Sequence, residues 1–261
     1  MAEESSKAES SPGPSFAEMP LGGAIHGAEH DDLLRTASDP ALSGDQALAL
    51  LARADLPADV IEQLAKNRSA LKLRKVKVVL ACHVHTPRHV SVPLIRQFYT
   101  FNLMKVALSP VVPADVKLTA DETLIARLKM ITLGERLTLA RRASGRIAAA
   151  LLVDANERVM RVALENPQLT EVQVVQAVLK PEASAALVQS AAHHGKWSYR
   201  RDVRIALLRT EHLSLARALV FSREISPVRL HEILQNSRLP APFKNQLLHE
   251  RGRGEAVAWE D

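Results

Sequence analysis

Residues 159–170 read VMRVALENPQLT: an apolar-periodic run that closes at Leu164, a gap holding Asn166 and Pro167, then Leu169-Thr170 at the start of the next segment. Val159, Met160, Ala163 and Leu164 recur at helical spacing. Pro167 cannot continue a helix, and Thr170 is a residue that opens one. The same short pattern returns as Leu51-x-Arg53-x-x-Leu56-Pro57, Leu80-x-Cys82-x-x-His85-Thr86 and Leu234-x-Asn236-x-x-Leu239-Pro240. Looser copies lie at Leu108-x-Pro110-x-Val112-Pro113 and from Leu207 to Ser214. Self-similarity of this kind decides architecture before any single element does.

The steps between copies are 29 residues (Leu51 to Leu80), 28 (to Leu108), 56 (to Leu164), 43 (to Leu207) and 27 (to Leu234). A unit near 28 residues holds two short helices and their turns. The 56-residue step is two such units, and the 43-residue step reads as an insertion. The expected fold class is therefore all-α, a solenoid of stacked short helix pairs, with a non-repeating helical bundle as the alternative. Expected helices include Gln46 to Ala54, Ala58 to Lys66, a run opened by Thr86-Pro87 and reaching Leu108 with a break at Pro93, Ala114 to Lys117, and Ala120 to Met130. Further ones fall at Leu133 to Ala143, Ser144 to Leu152, Glu157 to Glu165, Glu171 to Leu179, Ala183 to Ala192, Arg201 to Arg209, Ser214 to Phe221, Pro227 to Gln235 and Ala241 to Arg251. The valine-rich run from Ser69 to His83 suits helix or strand by itself, and the repeat register decides for helix.

Charge is unevenly placed along the chain. Residues 1–45 carry 2 basic and 9 acidic residues, net −7, while residues 46–261 carry 32 and 20, net +12. Residues 1–30 are rich in Ser, Pro, Gly and Glu and poor in large apolar side chains, the composition of a disordered acidic tail. Such a tail would weakly shield the basic body. The domain organisation expected is this tail, a helical-repeat domain over 31–251, and a frayed tail over 252–261. A basic body attracts acidic partners, nucleic acid among them. One cysteine, Cys82, gives no intramolecular disulfide and fits a reducing compartment. The N-terminal residues show no secretory signal, and no run of 18 uncharged apolar residues suggests a membrane span, so a cytoplasmic location without membrane contact is expected.

Segments such as Val159–Thr170 and Asp202-Val-Arg-Ile-Ala-Leu-Leu-Arg209 resemble the HEAT-like and leucine-rich-variant class of bacterial helical repeats. In that class a helix of VRxAL type is followed by Asn-Pro and a second helix starting at Thr or Pro. The likeness covers Gln46 to Arg251. It implies a right-handed superhelix of helix pairs that binds protein or, less often, nucleic acid, and it carries no catalytic residues. Cys82-His83 and Arg209-Thr210 lack the Asn-Pro step.

Three constellations could carry chemistry. Cys82, His83, His85 and His89 offer zinc-type ligands. However, His85 falls on the position of Leu56, Leu169 and Leu239, and Cys82 on that of Asn166 and Asn236, so packing at a helix junction is the expectation and no metal site is assigned. Trp197, Tyr199, Arg200 and Arg201, beside His193, His194 and Lys196, are the residue types that dominate interfaces and form the candidate partner-binding site. The alternative is that Trp197 and Tyr199 fill the junction at the 43-residue step. Arg141, Arg142 and Arg146 form the candidate anion-binding site. A continuous helix would put Arg142 and Arg146 on one face, and Ser144 at a following N-cap would add donors. The alternative is a solvated charged face.

Phosphate-loop, H-E-x-x-H, G-x-S-x-G and dinucleotide-turn motifs are absent, no motif implies a cofactor, and no catalytic residue is assigned. The expected function is a non-enzymatic scaffold with a protein partner. The alternative is a nucleic-acid or other polyanion-binding module using Arg141, Arg142, Arg146, Arg200 and Arg201.

Overall fold

Short apolar-periodic segments bounded by Pro, Asn, Ser and Thr become helices throughout. The structure, a computed structural model, describes residues 21–257, with side chains from Glu29 to Arg251. Residues 1–20 of the acidic segment and residues 258–261 lie outside the described residues. The regular elements among the described residues are sixteen α-helices and two 3-10 turns. They run α1 (Leu21–Ser38), α2 (Gly44–Leu51), α3 (Ala58–Lys66), α4 (Arg74–Cys82), α5 (Arg88–Arg96), α6 (Thr100–Leu108), α7 (Ala114–Arg127) and α8 (Leu133–Arg142). Then follow α9 (Gly145–Leu151), α10 (Glu157–Leu164), α11 (Glu171–Leu179), α12 (Ala185–His193), α13 (Arg201–Leu208), α14 (Leu215–Ser222), α15 (Pro227–Gln235) and α16 (Ala241–Val257). The 3-10 turns are Ala70–Lys72 and Trp197–Tyr199. No helix among the described residues is long and apolar enough to cross a membrane.

Helices this short are marginal in water, so packing must hold them. Beyond consecutive pairs, each close contact joins helices two positions apart. In the odd set these are α1 with α3, α5 with α7, α7 with α9, α9 with α11, α11 with α13 and α13 with α15. In the even set they are α2 with α4, α4 with α6, α8 with α10, α10 with α12 and α14 with α16. The buried side chains form two clusters, Ala37 to Leu80 and Ala81 to Leu247, and Leu94 packs against both.

One turn device recurs. The side chains of Asp39, Asn67, His83, Asp154, Asn166, His194 and Ser237 each accept a hydrogen bond from the backbone amide two residues on. Such local bonds satisfy backbone groups left open where the chain leaves a helix. Several of these side chains also bond back to the preceding unit. Asn67 donates to the carbonyls of Ala37 and Asp39, Asn166 to those of Ala140 and Ala143, and Ser237 to that of Leu208. His83 accepts through Nδ1, so its Nε2 carries the proton and donates to the Arg53 carbonyl at 2.9 Å. By the same logic His194 donates from Nε2 to the Glu165 carboxylate at 3.1 Å. These cross-bonds span 23 to 30 residues, bracketing the unit near 28.

The structure corrects the register in several places. His83 and Ser237 hold the position of Asn166, not Cys82 and Asn236, because the turn is set by a side chain able to accept an amide just past the helix end. His85 is exposed, with Nδ1 3.1 Å from the Leu56 carbonyl, and Thr86 fills the buried position three residues after His83. The 43-residue step is one and a half units and contains no insertion. Copies at Leu51, Leu80, Leu108 and Leu164 close even helices, whereas Leu207 and Leu234 close odd ones. The skipped copy is Ala192-x-His194, where alanine stands in place of leucine.

Pro93 stays inside α5, and the break falls after Arg96. Proline there removes one intrahelical bond from a helix of only 9 residues. Residues 114–127 form one helix rather than two. Helix α1 starts at Leu21, so the last ten residues assigned to the tail belong to a helix. Within it Glu29 meets Arg53 at 2.9 Å and His30 meets Asp59 at 2.9 Å. At the other end α16 continues to Val257, past the expected boundary at residue 251.

Candidate functional site

Helix α4 buries Val76 and Leu80, four residues apart, and this stripe directs Arg74 and Lys77 to its flank. Helix α6 packs beside it, with Tyr99 at its N-cap. Between them lies a groove of about 300 Å³ lined by Lys72, Arg74 and Lys77 on one wall and by Gln97, Phe98, Tyr99 and Asn102 on the other. The Arg74 guanidinium sits 4.1 Å from the centre of the Tyr99 ring, and Tyr99 is 63% exposed. A cation over a tyrosine face is an attractive arrangement, worth about 0.5–1 kcal/mol at an exposed site.

Helix α8 is fixed at its start by a reciprocal cap: Thr132 Oγ1 accepts from the Glu135 amide while the Glu135 carboxylate accepts from the Thr132 amide at 3.0 Å. That amide bond holds the Glu135 carboxyl below its usual range. Arg141 and Arg142 fall in the last turn, where the helix dipole favours cations. Across from them on α10 stands Arg158. The three arginines, with Leu137, Thr138 and Val162, line a groove of about 400 Å³. None of Lys72, Arg74, Lys77, Arg141, Arg142 or Arg158 forms an ion pair among the described residues. The neighbouring Arg136 and Arg161 differ, being paired with Asp154 and Glu157.

Charge therefore divides by helix set. Counted over the helices, with α16 taken to Arg251, the even set carries 12 basic and 4 acidic residues, and the odd set 10 and 11. Net charge is +8 on one set and −1 on the other. The α11–α13 groove of the odd set sets Glu171 and Asp202 against Arg209 and Arg229 in its lining, so it is balanced where the even-set grooves are basic.

The sequence-predicted residues land as follows. Arg141 and Arg142 share one groove, but the helix breaks at Ala143, whose ψ of 177° is extended, and Ser144 caps α9. Arg146 thus sits on α9 in the odd set, apart from its two expected partners. Trp197 is 1% exposed and donates from Nε1 to the Leu164 carbonyl at 2.8 Å, so it is a core residue inaccessible to a partner. Tyr199 is 75% exposed, and Arg200 and Arg201 lie on the surface with it. Of the cysteine–histidine constellation, the His83 and His85 rings meet edge to face with centres 5.8 Å apart, but the His83 ring is held by the His85 amide and the Arg53 carbonyl, and His89 faces Glu62 at 3.4 Å. No group of three or more metal-ligating side chains comes together among the described residues.

Two features escaped sequence reasoning. Tyr99 joins Lys72, Arg74 and Lys77 only through the α4–α6 contact. An apolar groove of about 560 Å³ also lies between α2 and α4, with Leu51, Val78, Val79 and Cys82 in its walls and Val84 and Val111 at its rim. Burial there pushes the Cys82 thiol up to about 11. No family model, curated protein or solved structure matches this chain.

Proposed function

We propose that the chain is a non-enzymatic, HEAT-like helical solenoid whose even helices line the face that binds a polyanion. Packing confined to near neighbours and a hydrogen-bond ladder repeating with the unit length support the solenoid arrangement. The observation that carries the function is the division of charge, +8 on the even set against −1 on the odd. Six grooved cations that form no ion pair among the described residues have their charge available for phosphates or carboxylates.

The test is binding of inorganic polyphosphate to the full chain across a salt series. Affinity should fall linearly with salt on a double-logarithmic plot. Combined Arg141→Glu, Arg142→Glu and Arg158→Glu should weaken it by about tenfold or more, since each contact contributes on the order of 1 kcal/mol. Arg146→Glu, on the odd set, should leave it nearly unchanged. Equal losses from both variants, or no binding at low salt, would discard the reading.

A second reading, a protein partner, is favoured by the apolar α2–α4 groove, whose rim residues Val84 and Val111 are 51% and 66% exposed. Tyr199, Arg200 and Arg201 would then extend the contact surface.

A further inference from the structure

We infer that the α4–α6 groove is a base-stacking site and that the even helices carry a single-stranded nucleic acid; this rests on the polyanion reading above. The argument starts from what the two walls offer. Lys72, Arg74 and Lys77 supply three cations on one side. Tyr99 supplies a ring on the other, with Arg74 over one face at 4.1 Å and 63% of the residue open to solvent. Asn102 and Gln97 supply amides beside the ring.

A ring, a cationic wall and an amide edge together match a nucleotide: a flat base to stack, a phosphate to neutralise, and donors and acceptors on the base edge to meet an amide. An acidic peptide without aromatic side chains has nothing flat to stack on the ring, and polyphosphate would use the cations alone. A base can stack on a side-chain ring only when it is out of the duplex stack, so the strand is read as single.

The second even-set groove continues the pattern without its aromatic part. Arg141, Arg142 and Arg158 line it, which suits phosphates alone; the Thr138 hydroxyl beside them donates to the Gly134 carbonyl at 2.9 Å. The chain has few aromatic residues, 3% of the whole, and Trp197 and Phe221 are spent in the core. Both tyrosines are nonetheless on the surface, each with an arginine facing its ring.

Fluorescence anisotropy of the full chain tests this, using labelled oligo-uridine and oligo-deoxyuridine of about 12 nucleotides. Competitors are an abasic phosphodiester of the same length and inorganic polyphosphate. Tyr99→Ala should weaken oligonucleotide binding by about 5- to 50-fold while leaving abasic strand and polyphosphate affinities unchanged, and Tyr99→Phe should restore it. Tyr99→Leu, which keeps apolar bulk without a stacking face, should behave like Tyr99→Ala. Loss of oligonucleotide affinity in Tyr99→Ala supports the site, and the affinity for oligo-uridine against oligo-deoxyuridine, which differ only in the 2′-hydroxyl, identifies RNA or DNA as the source. If Tyr99→Ala and Tyr99→Leu change nothing while the Arg141, Arg142 and Arg158 reversals weaken every ligand, stacking is overturned and the polyanion reading stands. If no polyanion binds at low salt, both fall.

Discussion

Asn166 reaches from one unit to the one before it: its Nδ2 donates to the Ala140 carbonyl at 2.8 Å, while its Oδ1 takes the Gln168 amide at 2.7 Å. At 1% exposure, with a further bond to the Ala143 carbonyl at 3.2 Å, it is the most buried rung of the ladder. Asn67 repeats the arrangement near the other end of the chain. Removing the amide leaves two buried carbonyls and an amide N–H without partners. Asn166→Ala should therefore cost about 2–3 kcal/mol of unfolding free energy in a urea titration. Asn67→Ala should cost a similar amount, and the two should add because they are remote from each other. A loss below about 0.5 kcal/mol would show that water replaces the side chain.

That ladder also shows where sequence reading stopped. Val159-Met-Arg-Val-Ala-Leu declares a helix by its spacing, so the all-α character was legible. The register was not, because it was counted from the last leucine, whereas the turn is set by the first side chain able to accept the amide two residues on. Asn, His, Ser and Asp all do this, so no single letter marks it. The device follows odd helices at Asp39, Asn67, Asp154 and Ser237 and even ones at His83, Asn166 and His194, which is why Leu207 on an odd helix aligns with Leu164 on an even one. Arg141 and Arg142 were visible as neighbours. Arg158 and Tyr99 became part of grooves only through contacts between helices two apart, which no local pattern reports.

Gly145 opens α9 against the turn that follows α10. A Cβ built there would lie 2.3 Å from the Gln168 carbonyl oxygen, a backbone atom that cannot swing aside. Gly145→Ala should thus destabilise by about 1–3 kcal/mol despite alanine's better helix propensity. Gly134, with nothing near its Cβ position, is the control. Gly134→Ala should be neutral or stabilising by up to about 1 kcal/mol, read from thermal melts of both variants. Equal behaviour of the two glycines would contradict the close approach.

Trp197 separates packing from hydrogen bonding. Trp197→Phe keeps most of the ring and loses the bond to the Leu164 carbonyl, which should cost about 1–3 kcal/mol because that buried carbonyl is left open. Trp197→Ala adds a cavity and should cost about 3–5 kcal/mol. Neither should alter polyanion affinity at temperatures where the chain is folded, since the residue is inside. Reduced polyanion affinity of a well-folded Trp197→Phe chain would move it back to the interface.

Asp121 on α7 gives a pH signature. It is 5% exposed, and burial raises its carboxyl above the usual range, opposed by Ser144, whose hydroxyl donates to Oδ1 at 2.8 Å, and by the charge of Arg146. The folded carboxyl holds its proton more firmly than the unfolded one, so this group's contribution to stability falls as pH rises from the ordinary aspartate value through the folded one. Above that window the buried charge is a standing cost. Asp121→Asn removes the charge and keeps an oxygen to accept from Ser144, which also caps α9 through the Ile147 amide. The variant should melt higher than the parent at neutral pH, and the gap should close as pH falls to the ordinary aspartate value of about 4. Melting temperatures of both chains across that range decide the matter. A gap that is constant with pH would assign the effect to packing, and one that widens toward acid would reverse the sign argued here.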